Sequence, residues 1–203
     1  MKDWTGNKKS TFTTLGASNH SDYERDGNDY YATDPLAAEL LLEVEPELNN
    51  IWECACGEGH LAKVFDKYGK LGKASDLINR GYGEQEDFIN NIFVNFNPDF
   101  KYNGDIVTNP PYKFAKEFVL HALKIVETGR KVCMFLKLTF LEGKERKDMF
   151  LIYPPKTVYV SSSRINCARG GDFKTFNQNT AIAYAWFVWE KGFTGNPIIK
   201  WIN

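Results

Sequence analysis

The sequence predicts an α/β domain, a three-layer sandwich in which helices cover both faces of a largely parallel sheet. Three observations predict it. Short apolar runs alternate with helix-patterned segments through most of the chain. One run, Lys131 to Leu138 (KVCMFLKL), is apolar without alternation, as a strand buried on both faces must be. And 203 residues, 43% hydrophobic and 25% charged, suffice for one core. The boundaries predicted are a polar arm over residues 1–29 and one domain over residues 30–203, with no repeat, low-complexity tract or linker dividing the latter.

The elements follow in order. Pro35 suits the first turn of a helix whose apolar face is Leu36, Leu40, Leu41 and Val44, and Pro46 stops it. Asn50 to Cys54 is a short strand running into Gly57-Glu58-Gly59, and His60 to Phe65 is the helix after that turn. Lys73 to Asp76 is a second strand and Asp105 to Thr108 a third, ending at Asn109-Pro110-Pro111-Tyr112. Phe114, Phe118, Ala122 and Ile125 share a helix face closed by Gly129. After the KVCMFLKL strand come a charged helix around Lys144 to Leu151, a strand near Thr157 to Val160, a polar loop from Ser161 to Asn179, and an aromatic strand from Ala181 to Trp189. Pro197 to Ile202 is a candidate for one more strand.

Composition narrows the function. Lys plus Arg number 25 against 26 for Asp plus Glu, so no global positive field draws the chain to phosphate polymers, and a nucleic-acid contact must come from a local patch. Cys54, Cys56, Cys133 and Cys167 form no CxxC pair, which reads as free, mostly buried thiols in a reducing compartment rather than a metal or disulfide framework. No window reaches about 18 consecutive apolar residues and the N-terminus lacks an apolar signal core, so a cytoplasmic protein without a membrane span or metal is expected.

In such sheets ligands bind beyond the carboxyl ends of the strands. The Gly57-Glu58-Gly59 turn lets backbone approach a ligand closely ahead of a helix N-terminus, or is simply a tight turn; Ala62 in place of a third glycine counts against a dinucleotide site. Asp76 can accept both hydroxyls of a ribose, or is a solvated loop acid. Asp87 can accept from an adenine amino group while Phe88 lies against the base, or the pair is a surface acid beside a core aromatic. Asn109-Pro110-Pro111-Tyr112 is the most specific feature. Its two prolines lock the backbone and remove two donors, leaving the Asn109 side-chain oxygen and the Pro110 carbonyl as acceptors aimed at one point. An exocyclic amine there donates two hydrogen bonds and turns its lone pair outward as a nucleophile, and Tyr112 offers a ring for a flat base.

On these residues the chain resembles the S-adenosylmethionine-dependent amino-methyltransferases, and is most similar to N6-adenine DNA methyltransferases of the phage and restriction-modification kind. That family's cofactor loop commonly reads Asp-Pro-Ala-Cys-Gly-x-Gly, against Glu53-Cys54-Ala55-Cys56-Gly57-Glu58-Gly59 here, with Glu for Asp and Cys for Pro at the first two positions. Residues 109–112 match its catalytic motif fully, and Tyr31-Ala32-Thr33-Asp34-Pro35 resembles the element that closes over the methionine end of the cofactor, in a gamma-like motif order. The resemblance implies a Rossmann-like class I methyltransferase fold with a mostly parallel seven-stranded sheet and an antiparallel C-terminal strand. It implies cofactor contacts from Thr33, Pro35, Glu53, Ala55, Gly57, Gly59, Asp76, Leu77, Asp87, Phe88 and Asn109. It implies a catalytic set of Asn109, Pro110, Pro111 and Tyr112, and direct methyl transfer with no metal.

A DNA target must be flipped out or single-stranded to reach such a pocket. Between Lys137 and Lys174 eight basic residues face four acids, and the loop there offers Arg164, Arg169 and Lys174 to phosphates and Asn177, Gln178 and Asn179 to base edges, unless it is a solvated hairpin loop. DNA is the expected partner, with RNA bases or a protein glutamine as alternative substrates and a non-catalytic nucleic-acid-binding module as the third reading. About 14 residues follow the aromatic strand, so target selection is expected from that loop, the N-terminal arm or a partner rather than from a separate domain.

Overall fold

A computed structural model describes residues 31–91, 96–165, 167–169 and 182–203. The predicted N-terminal arm, Lys174 and Asn177 lie outside the described residues. The strands are β1 (Tyr31–Thr33), β2 (Ile51–Glu53), β3 (Leu71–Asp76), β4 (Glu84–Gln85), β5 (Ile106–Thr108), β6 (Lys131–Lys137), β7 (Thr157–Ser161), β8 (Cys167–Arg169), β9 (Tyr184–Glu190) and β10 (Ile198–Ile202). The α-helices are α1 (Leu36–Val44), α2 (Ala62–Lys67), α3 (Ala115–Ile125) and α4 (Lys144–Ile152), with 3-10 turns at Tyr112–Phe114 and Leu138–Leu141.

Alternation along the central strands builds the three layers. In β6, Val132, Met134 and Leu136 face the layer of α3 and α4, while Cys133 and Phe135 face that of α1 and α2. In β9, Phe187 and Trp189 take the first side and Trp186 and Val188 the second. Each face therefore owns a core, and both strands are buried nearly throughout, which is why their sequences read as unbroken apolar runs. The indole N–H of Trp186 donates to Ala37 O at 2.8 Å, so this bulky residue is buried without an unpaired donor.

The main sheet runs β10-β7-β9-β6-β5-β2-β3-β4. Every pairing is parallel except those of β9, which is antiparallel to both β6 and β7. The expected antiparallel strand near the C-terminus is thus β9. The expected count of seven is corrected to eight among the described residues: the candidate strand at the end of the chain is present as β10, parallel to β7, and the added strand is β4, two exposed polar residues paired with β3. Four of the five residues of β10 are exposed, Ile198, Ile199 and Trp201 among them, so this strand is apolar in sequence yet lies at the sheet edge with only Ile202 in the core. A second correction lies in the polar stretch after β7, where Cys167–Arg169 forms β8 and pairs antiparallel with β1, Thr33 opposite Cys167.

From β2 the chain moves outward to β3 and β4, then returns to place β5 on the other side of β2. Strand order reverses between β2 and β5, the switch point beyond whose carboxyl ends sheets of this kind bind ligands in a crevice.

Candidate active site

The residues at that crevice are set by local chemistry. Gly57 and Gly59 take φ of 55° and 81°, in the left-handed region where side chains are strained. A Cβ on Gly59 would stand 2.5 Å from the Tyr82 ring, so the turn needs glycine there for space as well. The Gly59 N–H donates to Cys56 O at 2.8 Å, and that of Cys56 to Ser75 O at 2.9 Å, fixing the turn against the end of β3.

Glu53 ends β2 and is 2% exposed. Its Oε2 accepts the Ala62 N–H at 3.1 Å and its Oε1 the Thr108 hydroxyl at 3.5 Å. Burial, with the Asp76 carboxylate adding to it, pushes the Glu53 carboxyl up to about 8 against those two hydrogen bonds. Among the described residues it has no ion-pair partner. Asp76 ends β3 and is held from two sides, accepting from Gly57 N at 2.8 Å and Ile78 N at 2.9 Å. The glycine turn and this carboxylate therefore form one rigid unit. Leu77, next to Asp76, is 59% exposed, while Ala55 is half-buried.

Asn109 follows β5, and its Nδ2 donates to Thr33 Oγ1 at 2.7 Å. Thr33 is 3% exposed and Pro35 caps α1, so residues 76 positions apart meet at the crevice. Pro110 is buried; Pro111, at φ −56° and ψ 122°, leads into the 3-10 turn that carries Tyr112. The Tyr112 hydroxyl donates to Cys167 Sγ at 3.9 Å, its ring stands 6.1 Å from that of Tyr184, and Lys137 Nζ lies 4.6 Å from the ring centre. Burial raises the Tyr112 hydroxyl far above its ordinary range, so it remains a neutral phenol.

Thr33, Glu53, Gly57, Gly59, Asp76, Asn109 and Tyr112 thus lie along the carboxyl ends of β2, β3, β5 and β6. Asp87 and Phe88 sit differently. Burial raises the Asp87 carboxyl, but hydrogen bonds from the backbone and side chain of Asn90 and the backbone of Ile89 outweigh it and hold the group below its usual range. Phe88 is 2% exposed, edge-on to Trp52 at 5.3 Å and beside Phe118 at 5.1 Å, with His121 at 4.8 Å. Its ring belongs to the core of the α3 side, and Asp87 closes a turn. Arg164 is exposed, next to buried Ile165, and the backbone of Arg169 pairs opposite Tyr31 in β8.

Sequence reasoning missed four contributors. Thr108 and Lys137 end β5 and β6, a position that itself signals function in a parallel sheet. Tyr82 over Gly59 and Cys167 under Tyr112 are brought in by tertiary contacts and carry no local signal.

No family model matches the chain, and no curated protein does. Solved structures do. The type IIG restriction endonuclease BpuSI matches at a TM-score of 0.57 and 15% identity over 84% of this chain and 26% of that one. The type I restriction enzyme EcoKI M protein matches at 0.55 and 14%, over 83% and 45%. An S-adenosylmethionine-dependent O-methyltransferase from Thermotoga maritima gives 0.49 and 13%, over 80% and 67%. The chain spans less than half the length of either restriction enzyme. At these identities the likeness is one of architecture, and with the strand order above it gives the conclusion that this chain has the Rossmann-like class I methyltransferase fold.

Proposed function

We propose that the chain moves the methyl group of S-adenosylmethionine to the exocyclic amino group of adenine in DNA. The observation that carries the reading is Asn109-Pro110-Pro111-Tyr112 at the end of β5, with Asn109 tied to Thr33 at the crevice that Glu53 and the glycine turn also line.

The residues present fit the cofactor. Glu53 is a buried carboxyl with no cation beside it among the described residues, the partner an α-ammonium needs, and Asp76 keeps lone pairs for ribose hydroxyls after accepting one N–H on each oxygen. Gly57 and Gly59 bare the backbone for the methionine portion, Thr33 and Pro35 border its carboxylate, and Leu77 offers an apolar wall for the adenine end. Ala55 and Asp87 complete the cofactor set implied by resemblance, Asp87 through lone pairs left by its turn, with Phe88 packed behind that turn in the core. Bound S-adenosylmethionine supplies an electrophilic sulfonium methyl.

Asn109 Oδ1 and the Pro110 carbonyl accept the two amino hydrogens of the target, withdrawing its lone pair from the ring and directing it at the methyl. As nitrogen gains positive charge both bonds strengthen, which is where rate is gained. Neither acceptor is basic enough to keep the proton, which leaves to water. Tyr112, its hydroxyl tied to Cys167, stacks on the base, and Arg164, Arg169, Lys174 and Asn177 are the proposed nucleic-acid contacts. The restriction enzymes among the structural neighbours support DNA over RNA as substrate.

The test is labelled methyl transfer to DNA, RNA and protein, followed by nucleoside analysis, for wild type and Asn109→Ala. Label on N6 of deoxyadenosine, lost in Asn109→Ala, is the expected result. Label on RNA or protein alone, or full activity of Asn109→Ala, overturns the reading.

A further inference from the structure

Beside Tyr112, on the α3 and α4 side of the sheet, lies a cavity of about 150 Å³ whose walls include Tyr112, Lys137, Thr139, Phe140 and Arg146. It is smaller than the roughly 300 Å³ of the smallest pockets for drug-sized ligands, so it suits one compact group. Among the described residues none of the lining carries a carboxylate, and two carry full positive charges.

The two cations are held in contrasting ways. Arg146 starts from α4, and its Nε donates to Phe140 O at 2.8 Å while its Nη2 reaches the carbonyls of Thr139 and Glu142. Its guanidinium lies 4.9 Å from the Phe140 ring centre. Those carbonyls fix the plane of the group without cancelling its charge. Lys137 has no ion-pair partner among the described residues. Its ammonium rests over the Tyr112 ring, a weak contact that another ring can replace. The exposed Thr139 adds a hydroxyl at the same mouth.

We propose that this cavity receives a backbone phosphodiester flanking the methylated adenine, with Lys137 and Arg146 as its counter-charges. The inference rests on the functional reading above and deepens it. A base stacking on Tyr112 takes the place of the Lys137 ammonium, which then moves off the ring face to where the same nucleotide carries its phosphate. Lys137 is on this account a positioning residue that couples occupancy of Tyr112 to capture of the backbone.

Arg146 also braces the 139–142 turn, so Lys137 is the residue to vary. Binding of full-length protein to an adenine-containing oligonucleotide is measured against salt, using an ordinary backbone and one with a neutral methylphosphonate on either side of the target. Lys137→Met is expected to bind about tenfold more weakly and to flatten the slope of log affinity against log salt by about one, while Lys137→Arg restores both. The methylphosphonate is expected to weaken wild type by a similar factor and to leave Lys137→Met unaffected. Calorimetry with S-adenosylmethionine, expected to match wild type, controls for folding, and competition by inorganic phosphate at matched ionic strength separates free phosphate from the polymer. An unchanged slope in Lys137→Met, or a methylphosphonate penalty equal in both proteins, overturns the proposal while leaving the methyl-transfer reading intact. Methyl carried by wild type only to protein overturns both.

Discussion

The two ends of the sheet bury carboxylates under opposite terms. At the amino ends of the strands, Asp105 accepts the backbone N–H of Lys131 and of Asn49, each at 2.8 Å, and the Lys131 ammonium bonds Glu45 and Glu47. The Tyr159 hydroxyl donates to Glu45 at 2.7 Å. Burial would raise the Glu47 carboxyl, yet Lys131 holds it down at about 2. At the carboxyl ends Glu53 is as enclosed as Glu45 and Asp105, and more so than the exposed Glu47, and it sits at about 8, because its neighbours are backbone, a hydroxyl and another acid. The first end is a closed charge network that fastens α1 to the sheet. The second keeps an acid without a counter-ion among the described residues, where a cationic ligand is expected. Burial alone therefore does not separate a structural carboxylate from a functional one; the presence of a matched cation does.

That contrast can be broken from either side. The largest effect is expected for Asn109→Ala, with kcat down roughly 10²- to 10³-fold, the scale for losing one preorganised transition-state hydrogen bond, and thermal unfolding close to wild type. Lys131→Met, at the opposite end, is expected to cost about 3 kcal/mol in denaturant unfolding, because Glu45 stays buried without its cation, while the folded protein keeps its methyl-transfer rate. If Lys131→Met lost activity with unchanged stability, the division of labour between the ends would be wrong. Asp76→Ala is expected to weaken S-adenosylmethionine about tenfold or more in calorimetry with little loss of stability, and an unchanged affinity would place the ribose elsewhere.

The finest discriminator is pH. Folded Glu53 titrates near 8 and the unfolded group near 4.5, so between these values the folded state binds the extra proton. The contribution of Glu53 is then fully present below about 4.5 and is lost as pH rises toward 8. Melting temperature without cofactor is expected to fall by a few degrees across that window, less so in Glu53→Gln, and saturating S-adenosylmethionine should flatten the wild-type curve by supplying the missing cation. A wild-type curve that steepens with cofactor would contradict an ammonium at Glu53.

Much of this site was legible in sequence because it depends on backbone restriction. Two prolines at 110 and 111 and glycines at 57 and 59 announce conformations that few other residues adopt, and acids at strand ends fall where the sheet opens. The remainder depends on who meets whom. Phe88 reads identically as a base platform or a core ring, and only its packing on Trp52 and Phe118 assigns it to the core. The Cys167–Arg169 strand is three residues pairing with a partner 136 positions away, and nothing local predicts it. Lys137 ends a strand whose apolar run was clear, but its place over Tyr112 depends on the 3-10 turn after Pro111.

The pairing of β1 with β8 also sets an order of events in synthesis. Ala32 is made 136 residues before its partner Ala168, a delay of roughly 7 to 27 s at ordinary elongation rates. Throughout that interval the nascent chain can build β2, β5 and β6 with their local helices, yet Thr33 has no strand to lie against. The hydrogen bond that holds Asn109 is thereby among the last to be secured, and a chain cut short before β8 would carry the glycine turn and the Asn-Pro-Pro-Tyr loop without the clasp that joins them.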